Sequence, residues 1–317
     1  MIYIEMGDYY KHIKYPEKER IDFYDYLSSY TDLQQAFGDN VFAAERHWVH
    51  NGRYEGRNIK LTDINYQILL NYIKKNHTNF DKTGSKINLI TSLYNESNYL
   101  RRQEYIHALK FNIKNPLIKK IYIYYDLSTD ENNELSTVMN HSKIEVKFYY
   151  GRPSFAEMIN FSNTKPDDTW MISNADIIHT PTLSKISDIN LDGKVLALTR
   201  WDFVSEETIT PYHAFNKINT ISQDTWIYNT PFDFPVSFSK INLGEIACDC
   251  HVSQQLKKAG IRTYNPCMDI QTLHLHLQNS RIQDYGDSVI KILNNQFNGT
   301  WPTVDVCDVH HIEYKKK

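Results

Sequence analysis

The sequence predicts an α/β fold: a mixed, mostly parallel sheet flanked by helices, preceded by a small α-helical N-terminal region. Three observations carry this. From residue 87 onward, short runs rich in Ile, Val, Tyr and Trp alternate with stretches of helical spacing, the arrangement of strand–helix–strand units. Over 21–57, apolar and aromatic residues recur at helical spacing with no strand pattern between them. Between the two regions lies the polar stretch "HTNFDKTGSK", His77 to Lys86. It places a boundary near residue 80, with 1–80 helical and 81–317 forming the α/β domain; 317 residues suffice for one large domain plus an appendage.

In "IDFYDYLSSYTDLQQAF" (Ile21 to Phe37), Phe23, Tyr26, Leu27, Tyr30 and Leu33 form one stripe; in "NVFAAERHWVHNGRYEGR" (Asn40 to Arg57), Phe42, Ala43, His47 and Trp48 belong to the other. Gly38-Asp39-Asn40 supplies a helix stop followed by an N-cap, and Asn51-Gly52 stops the second helix. From Tyr26 to Arg57 this hairpin resembles a short helical module found in many otherwise unrelated proteins, and His47 within it reads as a packing residue. A further helix covers Thr62 to Asn76. Beyond the boundary, "INLITSLY" is a first buried strand and "NESNYLRRQEYIHALKFNIKN" an amphipathic helix. "IKKIYIYYD" and "KIEVKFYY" are the second and third strands, and "SFAEMINFSN" is a helix. "TWMISNADIIH" reads as a fourth strand and "KVLALTRWD" as a fifth. In such sheets ligands bind beyond the carboxyl ends of the strands.

Composition narrows the function classes. With 41% hydrophobic and 13% aromatic residues the chain folds rather than serving as a tail, and a formal charge of -3 gives no basic field for nucleic acid. No apolar stretch approaches the roughly 20 residues of a membrane helix, and the N-terminus lacks a signal-peptide core, so a cytoplasmic protein is expected. Neither G-x-G-x-x-G nor G-x-x-x-x-G-K-[ST] occurs, which argues against Rossmann dehydrogenases and P-loop NTPases. Cys248, Cys250, Cys267 and Cys307 lack the paired spacing of structural zinc sites and read as reduced, buried thiols.

Polar residues gather at the strand ends: Ser92-Leu93-Tyr94, Asp126, Asn174-Ala175-Asp176, and Thr199-Arg200-Trp201-Asp202. A carboxylate such as Asp176 there, beside small Ala175, suits Mn²⁺ or Mg²⁺ held with a diphosphate, because these hard cations take one or two carboxylates and leave other positions to phosphate. That points toward nucleotide-sugar chemistry. Downstream, "SQDTWIY" places Gln223-Asp224 before an apolar run. Asp249 stands near the start of an amphipathic helix, either as first-turn charge or as a base for an acceptor hydroxyl. In "TLHLHL", His274 and His276 share one face of a strand, and either could ligate the same metal.

"ISNADI", "LALTRWD", "SQDTWIY", "LGEIACD", "KKAGIRTYNPCMDIQTLHLH" and "SRIQDY", in this order and spacing, resemble a group of GT-A-fold glycosyltransferases of bacteria, plants and large DNA viruses, from about Lys86 to Tyr285. The resemblance implies a GT-A-like sheet, a UDP- or GDP-sugar donor, and Mn²⁺ or Mg²⁺. It implies that "NAD" stands for the Asp-x-Asp metal motif, with Asn174 in first place, Asp176 as metal ligand, and a histidine of "HLH" completing the site. Asp249 then resembles the catalytic base of inverting members. Ser92 and Tyr94 would cradle the nucleotide, with Asp126 near the base. Arg200, Trp201 and Asp202 would border the donor sugar, and Gln223, Asp224 and Trp226 a glycan or glycoprotein acceptor, although Trp201 or Trp226 reads equally as a core residue. A viral member would act in the host cytoplasm. Two rivals stand beside this reading. One is a catalytically silent carbohydrate-binding or scaffold protein with the same fold. The other is a nucleotidyltransferase, which would want a glycine-rich loop where "SLYNESNYLRR" has no glycine.

Overall fold

The computed structural model describes residues 26–27, 30–38, 40, 43–44, 47, 51, 55, 86–96, 99–128, 133–205, 208–211, 213–214, 217–218, 222–275, 297 and 302–313. The expected boundary over 77–85, the helix over 62–76 and His276 lie outside these residues. Within the N-terminal region, helix α1 (Thr31–Phe37) ends at Gly38, whose φ of 53° is the left-handed conformation that favours glycine. Asn40 then accepts the amide of Ala43 on its side chain, as an N-cap should. His47 Nδ1 lies 2.9 Å from the Tyr26 hydroxyl and its ring lies against Phe37, a packing role as expected.

The main sheet has seven strands in the order β12-β6-β11-β4-β1-β2-β3: β1 (Ile87–Leu93), β2 (Ile118–Asp126), β3 (Ile144–Tyr149), β4 (Thr169–Ser173), β6 (Lys194–Leu198), β11 (Thr225–Asn229) and β12 (Arg262–Tyr264). Every neighbouring pair is parallel except those made by β11, which runs antiparallel to both β4 and β6. The fold class is therefore the expected mixed, mostly parallel α/β sheet flanked by helices.

The pleat divides the apolar residues between two cores. Met171, Leu196, Leu198 and Ile227 face one side; Trp170, Ile172, Val195, Ala197, Trp226 and Tyr228 face the other. Burial on both faces is why these strands read as continuous apolar runs, and each fully buried large side chain contributes about 1.5–3 kcal/mol. Helices α2 (Tyr99–Lys114) and α3 (Asn133–Met139) cover the first side; α4 (Phe155–Asn163) and α5 (Cys248–Lys258) cover the second. A capping box between Ser154 and Glu157 starts α4.

Two expected strands are divided. "TWMISNADIIH" breaks into β4 and β5 (Ile177–His179), and "KVLALTRWD" into β6 and β7 (Trp201–Ser205). In both cases the chain leaves the main sheet for a four-stranded one, ordered β5-β13-β7-β8, with β8 (Thr208–Pro211) and β13 (Thr272–Leu275); β9 (His213–Ala214) and β10 (Lys217–Ile218) pair separately. The breaks are pinned by long-range hydrogen bonds. Asn265 accepts the Thr199 amide at 3.1 Å and donates to the Thr199 hydroxyl at 3.0 Å. The Asn174 amide bonds the Asp224 carbonyl at 3.1 Å.

Helix α2 also departs from expectation. Six consecutive residues, Glu104 to Leu109, are buried, because the helix packs on the main sheet on one side and on β5 on the other. There Asn112 donates to the Ile177 carbonyl and accepts the His179 amide, while Asn115 donates to the His179 carbonyl. Two amide side chains thus satisfy the β5 backbone edge that β13 does not pair.

Candidate active site

The switch from β4 to β5 puts Asp176 in a tight turn at the carboxyl end of the sheet, with only 2% of its surface exposed. Its partners come from two other elements. Arg101, near the start of α2, places Nη2 2.7 Å from Asp176 Oδ2 and Nη1 2.6 Å from Glu104 Oε2. His274 of β13 brings Nε2 to 3.2 Å from the same Asp176 oxygen. Burial pulls the Arg101 pKa down, but the two carboxylates more than offset it and hold the guanidinium above its ordinary value. Arg101 also lies over the Tyr105 ring, 5.1 Å from its centroid. Arg101 and Glu104 are additions to the expected residues. Their sequence signal, Arg-x-x-Glu at helical spacing, looks like an ordinary solvated pair.

The expected metal can be tested on these groups. One ligand atom each from Glu104, Asp176 and His274 lies within 4.8 Å of the others, a metal-sized cluster. Two oxygens and an imidazole suit a transition metal better than Mg²⁺. However, the Arg101 guanidinium bridges both carboxylates, so a divalent cation bound there would sit against a fixed positive charge. The residues do not fit a metal while Arg101 occupies them.

A second cluster lies two residues away along the chain. Asn174 donates from Nδ2 to Asp224 Oδ1 at 2.9 Å, and Arg200 Nη1 donates to Asp224 Oδ2 at 3.1 Å. Asp224 stands just before β11, so the antiparallel strand brings its carboxylate to the edge where β4 and β6 end. Asp249, in the first turn of α5, accepts the Cys250 amide at 2.9 Å, together with the Ser222 hydroxyl and the Gln223 backbone amide. Burial and then the charge of Asp224 push Asp249 up to about 6, against the pull of those hydrogen bonds. The chain enters α5 through Ala247 at φ 59°, a left-handed conformation uncommon for a residue with a side chain. Gln223 is buried and accepts from Ser253 of α5 at 2.7 Å, which fixes the helix against this edge.

The remaining expected residues divide. Ser92 is half-buried at the end of β1, and Tyr94 donates to Glu96 at 2.7 Å and meets the Tyr105 hydroxyl at 3.1 Å. Asp126 accepts from the Ser128 hydroxyl at 2.6 Å and from the amides of Ser128 and Gly151, each at 2.8 Å; burial raises its pKa, and these bonds with the Arg152 charge together bring it below the ordinary value. Trp201 is half-buried and donates from its indole to the Cys267 carbonyl at 2.7 Å. Asp202 pairs through its backbone with His274. The expectation that Trp226 borders an acceptor is corrected: its side chain is 2% exposed and packs edge-on against Phe155 in the core. The pleat aims it there, one residue out of phase with Ile227 on the other face. A cleft of about 410 Å³ lies at the opposite edge, lined by Asp168, Thr169, Asn229 and their neighbours. The four cysteines are free thiols, with Cys248, Cys250 and Cys267 buried. Among the described residues, no helix is long and apolar enough to cross a membrane.

No protein-family model matches the chain, and no curated protein matches it in sequence. Solved structures do resemble it. S. aureus TarS residues 1–349, in complex with UDP-GlcNAc, aligns at 12% identity over 71% of this chain and 69% of that one, with a TM-score of 0.40. The inositol-1-phosphate CTP transferase of T. maritima aligns at 12% over 68% and 98%, with a TM-score of 0.39. The glycosyltransferase GlyE of Streptococcus pneumoniae TIGR4 aligns at 12% over 70% and 45%, with a TM-score of 0.30. At 12% identity and TM-scores of 0.40 or less these likenesses are of outline only, and the strand order of this chain rests on its own hydrogen bonds.

Proposed function

We propose that this protein is a glycosyltransferase that moves a sugar from a UDP- or GDP-sugar to a hydroxyl of a glycan or glycoprotein acceptor, with inversion. The observation that carries the reading is Asp249. Its carboxyl group, pushed up to about 6 by burial and the charge of Asp224, stands at the carboxyl edge of the sheet near Asp224, which Asn174 and Arg200 hold in place. A general base is most effective when its pKa lies near the working pH. In this reading Asp249 accepts the proton of the acceptor hydroxyl. The hydroxyl oxygen bonds the anomeric carbon from one face as the bond to the diphosphate oxygen breaks on the other, and the nucleoside diphosphate leaves with the electron pair. Arg200 supplies fixed positive charge at that edge. The free thiols support a reducing compartment such as the cytoplasm.

One observation favours the silent scaffold instead: Arg101 and Arg200, two cations of this edge, are already paired with Asp176, Glu104 and Asp224. Thermal stabilisation by a panel of UDP- and GDP-sugars, followed by assay of donor hydrolysis, separates the two. The transferase reading expects one donor class to raise the melting temperature and to be hydrolysed slowly. A panel with no stabilising nucleotide would falsify it.

A further inference from the structure

We propose that Arg101 is a resident cation in the place where Glu104, Asp176 and His274 would otherwise hold a divalent metal, and that the native site thereby excludes the metal. The exclusion stands on the Arg101 geometry alone; only its consequence for nucleotide binding rests on the transferase reading.

The guanidinium reaches both carboxylates at once, 2.7 Å to Asp176 and 2.6 Å to Glu104. Its planar fork suits this bridging, which a metal ion would have to undo. The Asp176 oxygen that it contacts is also the one nearest His274 Nε2. A metal shared by that oxygen and the imidazole would therefore have to displace the guanidinium. Burial sharpens the competition, since the side chains of Asp176 and Glu104 are 2% and 1% exposed. Buried carboxylates require a compensating charge from the protein itself or from a bound ion. Arg101 provides that charge permanently. Its position is fixed by α2, which Asn112 and Asn115 lock onto the backbone of β5 just beyond Asp176. The Tyr105 ring beneath the guanidinium opposes its withdrawal.

Arg101→Met removes the charge while keeping an unbranched chain. It leaves two carboxylates and an imidazole whose ligand atoms lie within 4.8 Å, a net charge matched to a divalent ion. The experiment is a MnCl₂ titration of full-length, EDTA-treated protein, followed by the electron paramagnetic resonance of free Mn²⁺. The wild type should show no Mn²⁺ binding that Asp176→Asn removes. Arg101→Met should gain one site, about tenfold or more tighter than any wild-type binding, which the added Asp176→Asn change abolishes. Saturable wild-type binding lost in Asp176→Asn overturns the proposal, as does a folded Arg101→Met protein that binds no better than wild type. Should Arg101→Met not fold, the wild-type arm decides alone. Calorimetry with UDP, with EDTA or with Mn²⁺, keeps the two readings apart. Binding equal in both conditions supports both. Binding only with Mn²⁺ overturns the exclusion and leaves the transferase. Absence of binding in either removes UDP as the donor nucleotide and leaves the exclusion to the Mn²⁺ titration.

Discussion

Asn174 and Asp224 are joined twice: the Asn174 side chain donates to the Asp224 carboxylate at 2.9 Å, and its backbone amide donates to the Asp224 carbonyl at 3.1 Å. The end of β4 is thereby clamped to the start of its antiparallel neighbour β11. The clamp holds the Asp224 carboxylate where its charge raises the pKa of Asp249. Sequence reasoning places these residues on different substrates, Asn174 with the donor and Asp224 with the acceptor. Their bond makes one rigid edge of both.

Replacing Asp249 by Asn should lower transfer about 10²–10⁴-fold, the usual loss of a general base. Stability should move the other way. The Asp249 pKa rises from 3.8 to about 6 on folding. Between those values the folded state keeps a proton that the unfolded state releases, so raising the pH through that window lowers stability, and the loss persists above it. Asp249→Asn removes this dependence, against a lost helix-end charge of only about 0.3–1 kcal/mol. Melting curves from pH 4 to 7 should be flatter in the variant, with no large loss at pH 7. An active variant with an unchanged pH profile refutes the base assignment.

The rate of the wild type should climb as pH rises through about 6, as Asp249 ionises. Asp224→Asn removes the neighbouring negative charge and should move that limb to lower pH, because less repulsion opposes ionisation. A pH–kcat/KM profile of the two proteins checks this. Coincident acid limbs would mean that the two carboxylates do not interact.

Asn112→Ala strips the β5 backbone of two buried partners, the Ile177 carbonyl and the His179 amide. Each unsatisfied group costs about 1–3 kcal/mol. The denaturation midpoint should fall accordingly. A midpoint in Asn112→Ala equal to that of the wild type would count against the edge-satisfying role.

Trp226→Ala should destabilise the protein by about 3–5 kcal/mol through a cavity beside Phe155. Trp226→Phe should cost much less and leave the acceptor KM unchanged. A raised KM in a stable Trp226→Phe protein would return this residue to the substrate.

Removal of residues 1–82 should leave a folded domain that binds nucleotide, since the polar stretch over 77–86 reads as a boundary. Circular dichroism and UDP calorimetry of the shortened chain test this. An insoluble or unfolded product would make the helical region part of the main core.

The class of fold was legible in the amino-acid order alone, because element type follows from local periodicity. Runs such as "TWMIS" and "KVLAL" are apolar throughout and lie in strands covered on both faces. That order also singled out Asp176 as a carboxylate at a strand end. It identified Asp249 as one of two alternatives, with the choice between first-turn charge and base left open. Where strands change sheets became visible only in the folded packing. A run that continues past Asn174 or Thr199 keeps the same pleat whether or not its next partner belongs to the same sheet, and the partner is chosen by packing far along the chain. The Trp226 side chain likewise needed the facing helix α4, whose Phe155 receives it. Arg101 and Glu104 were legible only as a helical ion pair. Their role depends on a turn more than seventy residues later bringing Asp176 within 2.7 Å of that guanidinium, a distance set by the docking of α2 on β5 rather than by any local pattern.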